Sequence, residues 1–285
     1  MKLLAFGEIL WDIYPNEKFM GGAPFNFAAH FSKCGGSSWI STAVGKDKLG
    51  CELIKRVEES GVSTDCISVL SDKITGQCIV SQNQDFIPTY NLLDNVAYDF
   101  IEYKNPLNEN FDILYFGTLA LRHQNNRDVL RRIITDNRFK EIFADVNIRP
   151  PYYSKEVLFF VLSNASILKI SEEELPILTE ALGFKDDIAK EIKSNFKNVK
   201  LLIITKGGDG AEAYDLVTSE KYSCDAEKVN VVSTVGAGDS FSAAFSSEYL
   251  KTGNIENCLK FASRISGFVV SRFDSVPDYS ADDFK

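Results

Sequence analysis

Eight residues concentrate the chemistry of this chain: Thr234-Val235-Gly236-Ala237-Gly238-Asp239-Ser240-Phe241. Glycines at 236 and 238 let successive backbone N–H groups point into one concavity, and a helix starting near Asp239 adds partial positive charge to it. The β-branched run Val229–Val232 predicts a strand leading in, and the pattern that follows predicts a helix to about Lys251. Strand, glycine turn and helix together make an anion site. A carboxylate is a poor phosphate ligand, so Asp239 suits another task there: taking a proton from a hydroxyl that attacks the phosphate. An ordinary reading stands beside this one, in which Asp239 only caps a helix. Two familiar motifs fail on spacing: a dinucleotide fingerprint needs glycine where Phe241 stands, and a Walker loop needs lysine after Gly238.

A second cluster lies near the N-terminus. Asp12 follows the first apolar run, and Gly21-Gly22-Ala23-Pro24-Phe25-Asn26 opens a helical pattern. Paired glycines permit close approach of backbone to a ligand, and Asp12 with Asn26 supplies acceptors and donors suited to several hydroxyls. Each residue alone reads equally well as a turn carboxylate or a helix cap; together, ahead of a phosphate loop, they point to a polyol pocket.

The elements that must position these residues alternate. Leu3–Ile9, Ser38–Val44, Ile113–Phe116, Ile142–Val146, Ile167–Ile170 and Leu201–Thr205 read as buried strands. Between them lie the helical patterns 26–33, 48–59, 127–136, 155–162, 172–182, 188–196 and 255–270. Such alternation predicts an α/β fold with a mostly parallel sheet covered on both faces, and ligands beyond the carboxyl ends of its strands. From Ile67 to Tyr103 helical periodicity is missing; Gln77–Ser81 and Ile87–Leu92 read as a hairpin, with a further strand within Ile9–Phe19. We expect one domain over 1–285, with a small β-sheet from 9–19 and 67–103 projecting from its core.

Bulk properties narrow the classes. The 285 residues, 45% hydrophobic and 25% charged, suffice for a large core. A net charge of −9 argues against nucleic acid and means that an anionic substrate must be held by local N–H groups, a few cations and a divalent metal. Six scattered cysteines and two isolated histidines, His30 and His123, give no zinc spacing and suggest reduced thiols. With no apolar run of membrane-spanning length and no signal-like start, the expected location is cytoplasmic, without membrane partners.

Gly7-Glu8-Ile9-Leu10-Trp11-Asp12 with Gly21-Gly22-Ala23-Pro24 and Asn26 resembles the first signature of the ribokinase-like (PfkB) carbohydrate kinases, and Val235–Phe241 resembles their second. The first segment is closest to the fructokinase branch. Val44-Gly45-Lys46-Asp47 with Gly50, Asp145–Pro150, and Thr205-Lys206-Gly207-Gly208 with Gly210 follow in the family's order, so the resemblance covers nearly the whole chain. It implies a three-layer α/β/α core with a β-sheet lid. It implies sugar-hydroxyl contacts at Asp12, Gly22 and Asn26, with Asn147 and Arg149 also on the substrate side, though Arg149 reads equally as structural. It further implies an anion hole at Gly236, Ala237 and Gly238, Asp239 as base, and a nucleotide loop at Thr205, Gly207 and Gly210. Glu174 would govern magnesium indirectly, through water. ATP, Mg2+ and a sugar, most simply D-fructose, are the implied partners, with homodimerisation through the lid as a further expectation. Three positions depart from the family: Ser171 replaces the Asn of the magnesium motif, Ser233 replaces an Asp that helps bind a monovalent cation, and Phe273-Asp274 stands where a Gly-Ala turn is usual. Potassium activation is therefore left open.

Rival readings are another acceptor (a different sugar, a sugar acid, a nucleoside) or a non-catalytic sensor of the same fold. The hairpin from Gly76 to Asp99 lacks Arg and Lys, which favours a neutral acceptor; Phe86, Tyr90 and Tyr98 keep a stacked nucleoside open.

Overall fold

Lys2–Phe6 form the first strand, and its side chains dictate the layers. Leu3 and Ala5 enter one hydrophobic cluster and Leu4 and Phe6 another, so the strand is apolar on both faces and both must be covered. A computed structural model describes residues 1–82, 88–104 and 110–284. Among these residues the strands are β1 (Lys2–Phe6), β2 (Leu10–Ile13), β3 (Lys18–Gly21), β4 (Ser37–Gly45), β5 (Val62–Ser63), β6 (Ile67–Leu70), β7 (Gln77–Gln82), β8 (Pro88–Leu92), β9 (Ile113–Phe116), β10 (Glu141–Asp145), β11 (Ile167–Ser171), β12 (Leu201–Thr205), β13 (Ala211–Asp215) and β14 (Lys221–Cys224). The α-helices are α1 (Ala23–Lys33), α2 (Lys48–Glu59), α3 (Gln124–Asp136), α4 (Lys155–Asn164), α5 (Leu175–Leu182), α6 (Ile188–Asn195), α7 (Ala237–Thr252) and α8 (Ile255–Val270).

The large sheet runs β14-β13-β12-β11-β10-β9-β1-β4-β5, with β6 also on β4. It is parallel from β12 through β5 and β6, and closes on the antiparallel hairpin β13–β14. Phe27 of α1, Leu53 of α2, Phe245 of α7 and Leu259 of α8 pack on one face; Leu130, Leu158, Leu178 and Ile192 of α3 to α6 pack on the other. This is the three-layer arrangement expected from the alternation.

The small sheet has the order β3-β2-β7-β8. Leu10, Cys78 and Val80 on its inner face join Val96 and Tyr98 in a separate cluster. Arg122 ties it to the core: Nη2 donates to the Leu93 carbonyl at 2.7 Å and to the Tyr98 hydroxyl at 3.1 Å, while Nε and Nη2 grip the buried Asp99 carboxylate at 2.8 and 2.7 Å.

The structure departs from the sequence reading in places. Ile67–Leu70 is β6 and pairs in parallel with Thr42–Gly45, so the second part of the small sheet begins at Gln77. The stretch 9–19 yields two strands, β2 and β3, and the first strand ends at Phe6. The hairpin β13–β14 was not anticipated. Val229–Val232 forms no strand: the amides of Val232 and Ser233 donate to the Val270 carbonyl at the end of α8, at 2.8 and 3.2 Å, and Val231 and Val232 stay exposed. β-branched residues favour a strand only where a neighbouring strand can pair with them. Phe86 and Ile87 lie outside the described residues. No helix among the described residues is long and apolar enough to cross a membrane.

Candidate active site

The floor of the site is built at the start of α1. Gly22 has φ +117°, and a Cβ there would lie 2.5 Å from the Glu8 carbonyl oxygen, so the close approach of the two segments requires glycine. Asn26, one turn into the helix, is buried and donates from Nδ2 to Asp239 Oδ2 at 2.8 Å. That one bond joins the two clusters singled out in the sequence, 213 residues apart. Asp12 stands above on β2, where burial raises its carboxyl above the usual carboxylate range, opposed by a thiol hydrogen bond from Cys78 and by the Arg149 guanidinium. Burial likewise pushes the Cys78 thiol up to about 12, so it serves as a donor rather than a thiolate. Glu8 is buried beside them; burial chiefly, and Asp239 in addition, push its carboxyl up to about 7. Its Oε2 has no hydrogen-bond partner among the described residues.

The opposite wall is the glycine turn. Gly236, with φ +82°, precedes the first residue of α7, and a Cβ on it would fall 2.6 Å from the Ser275 carbonyl oxygen. Ala237, Gly238 and Asp239 form the helix's first turn, where amides lack intrahelical partners. Beside Gly238 lies the ammonium of Lys169, 3.1 Å from where a Cβ would sit. Lys169 is a buried lysine paired with Asp145 at 2.9 Å. Burial opposes its charge, but Asp145, Glu174 and Asp239 outweigh it and hold the ammonium above its ordinary range. Asp145 is pushed up to about 6 by burial against the pull of Lys169. Asp239 is raised too, by burial first, with Asn26, Lys169 and Arg149 opposing.

Three loops at the carboxyl ends of β10 to β12 complete the cleft. Asn147 has φ +39°, and its carbonyl accepts from Thr118 Oγ1 at 3.1 Å. Arg149 is exposed, with its guanidinium acting on Glu8, Asp12 and Asp239. Glu174 is buried, and both carboxylate oxygens are committed to backbone: Oε2 accepts from the Ser171 amide at 2.7 Å and Oε1 from the Ile148 amide. It therefore braces two loops. Thr205 ends β12. The turn after it closes with the Lys206 amide donating to the Gly210 carbonyl at 2.8 Å. Gly207 and Gly210 take φ +54° and +92°, and a Cβ on Gly210 would collide with the Cys224 carbonyl at 2.0 Å. Lys206 pairs with Glu212 at 2.8 Å. A separate cleft of about 340 Å³ lies between Glu227 and Val229 on one side and Arg264 and Phe268 of α8, with Ser271 just past its end, on the other.

Asn26 is thus bonded to Asp239, Arg149 acts on both Asp12 and Asp239, Gly236–Gly238 lead directly into that carboxylate, and Thr205–Gly210 lies at the loop after β12. Amides, a helix start and the Lys169 ammonium suit phosphate groups. Glu174 accepts from two backbone amides and Asp145 from the Lys169 ammonium, and each carboxylate retains lone pairs that could serve a magnesium ion or its waters. Sequence reasoning missed Glu8, Cys78 and Lys169. Only Lys169 carried a signal: a single charge inside the apolar strand Ile167–Ile170.

Parallel sheet, glycine turn at a helix start and a capping antiparallel sheet together define a ribokinase-like α/β protein. The chain belongs to the pfkB family of carbohydrate kinases, whose model matches residues 13–281. It is therefore a phosphotransferase acting on a sugar hydroxyl. Among similar proteins, Probable fructokinase-5 of Arabidopsis thaliana is 25% identical over 96% of this chain and 93% of its own length. A sugar kinase of Pyrococcus horikoshii in complex with ATP superposes with a TM-score of 0.81 at 26% identity, covering 99% of this chain and 96% of that one. A fructokinase of Vibrio cholerae O395, in its fructose-, ADP- and calcium-bound form, has a TM-score of 0.84 at 20% identity over 99% of this chain and 98% of its own, a likeness of fold.

Proposed function

We propose that this kinase transfers the γ-phosphoryl group of ATP to a hydroxyl of D-fructose, giving fructose 6-phosphate. The observation that carries the reading is the Asn26–Asp239 bond, which sets a polyol-binding helix against a carboxylate at the mouth of an anion nest. In this reading Asp12 and Asn26 orient the sugar, and Gly22 lets it approach the backbone. Asp239 accepts the proton of the attacking hydroxyl as its bond to phosphorus forms. The amides of Gly236, Ala237 and Gly238, with the Lys169 ammonium, take up charge on the transferred group. Thr205, Gly207 and Gly210 border the nucleotide, Asn147 and Arg149 close the substrate side, and the cleft along α8 receives the base. Magnesium, when bound with ATP, supplies further charge neutralisation. The small sheet excludes water, which otherwise competes as acceptor.

Arg149 supports a second reading: an exposed guanidinium facing Asp12 would serve an acceptor with an anionic group, such as a sugar acid. ADP release with ATP and magnesium, against fructose, ribose, tagatose, 2-keto-3-deoxygluconate and adenosine, with and without potassium, separates the acceptors. Fructose-dependent release supports the first reading; release with the sugar acid alone would replace it. We also propose a homodimer through the small sheet, whose edge strands β3 and β8 pair with no further strand among the described residues. Light scattering at micromolar concentration should give twice the mass of 31.8 kDa; a monomer would contradict this.

A further inference from the structure

His30 lies one turn beyond Asn26 on α1, fully buried. Its Nε2 is 2.9 Å from the Ser275 carbonyl oxygen and its Nδ1 is 2.8 Å from the Tyr279 hydroxyl. A carbonyl only accepts, so Nε2 carries the proton and Nδ1 accepts from Tyr279. Burial holds the ring neutral by pushing it down to about 4. The Ser275 carbonyl is also the atom behind the glycine turn, 2.6 Å from the place a Gly236 Cβ would occupy. Residues 271–280, which carry it, form no helix or strand and so lack a ladder of their own to fix that carbonyl. α1 therefore grips the turn twice from one face, at spacing i, i+4: Asn26 holds Asp239, and His30 holds the carbonyl against which Gly236 rests.

We infer that His30 is a positioning residue for phosphoryl transfer, fixing the Gly236 turn through the Ser275 carbonyl without touching substrate. This rests on the reading of Gly236–Asp239 as the transfer loop. Misplacing that loop by an ångström costs turnover about 10²-fold while leaving ground-state binding of sugar and nucleotide little changed. An amide can imitate either ring nitrogen separately. His30→Gln puts an N–H near the Nε2 position and keeps the donor to Ser275; His30→Asn reaches only the Nδ1 position and loses it.

The test measures kcat by ADP release with ATP, magnesium and fructose, and binding of fructose and ADP by calorimetry, in both variants and in Asp239→Asn. We expect His30→Asn to lower kcat roughly 10- to 100-fold with both affinities within about threefold, and His30→Gln to keep kcat within about threefold. Equal losses in the two variants, or a loss in affinity rather than kcat, would mean a role in packing only and would overturn the inference. Should His30→Asn not fold, His30→Gln decides alone: loss of kcat at unchanged affinity contradicts the inference. Asp239→Asn distinguishes the two levels of argument. Normal turnover in that variant overturns the transfer-loop reading itself; loss there with normal turnover in His30→Asn overturns only the role of His30.

Discussion

At the scale of single residues, burial sets the electrostatics of the cleft. Four carboxyls, Glu8, Asp12, Asp145 and Asp239, are all displaced upward, with burial the largest cause each time. Glu8 makes the most direct case. Its carboxyl moves from 4.5 to about 7, so between those values the native state binds more protons than the unfolded chain. The contribution of Glu8 to stability therefore falls as pH rises through that window. Glu8→Gln mimics the protonated form and removes this slope. In urea unfolding the two proteins should be equally stable near pH 4, and the variant should gain with rising pH, at up to about 1.4 kcal/mol per pH unit, until the gain levels off above pH 7. A difference that stays the same at pH 4 and pH 8 would contradict the assignment. The opposite slope from His30 is present in both proteins and cancels in the comparison.

At the scale of elements, the backbone around the glycine turn decides which residues meet. Gly236→Ala forces a side chain into φ +82° and within 2.6 Å of the Ser275 carbonyl. It should cost about 1–3 kcal/mol of stability and lower kcat with fructose affinity retained; unchanged kcat would mean that the turn does not hold the transferred group. Much at this scale was legible in the sequence, because periodicity reports burial directly. α2 over Lys48–Glu59 and α8 over Ile255–Val270 fall where their apolar spacing places them, and the glycine turn opens a helix as its composition requires. What failed depended on partners distant along the chain. Val229–Val232 has strand chemistry but pairs with no strand among the described residues, and Ile67–Leu70 has the pattern of a strand without any mark of which sheet it joins. Glu8 and Cys78 were hidden for the same reason: only folding brings β2, β7 and α1 around them.

At the scale of the molecule, two sheets must be held in register for one site to exist between them. Arg122 is the clearest tie, and its removal leaves Asp99 buried without its charge partner. Arg122→Met should destabilise the protein by about 3–5 kcal/mol in denaturant and raise fructose-independent ADP release as the small sheet loosens. Wild-type stability and a silent background would show that the sheet is anchored elsewhere. On the proposed reading, a protein of net charge −9 would attract ATP locally, through helix amides and the buried ammonium of Lys169, rather than through its overall field. The most direct test of the whole account is ADP release from ATP and magnesium with fructose, comparing wild type with Asp239→Asn, and fructose binding by calorimetry. The account predicts a fructose-dependent signal that falls on the order of 10²-fold or more in the variant while binding is kept. Near-normal turnover in Asp239→Asn would contradict it.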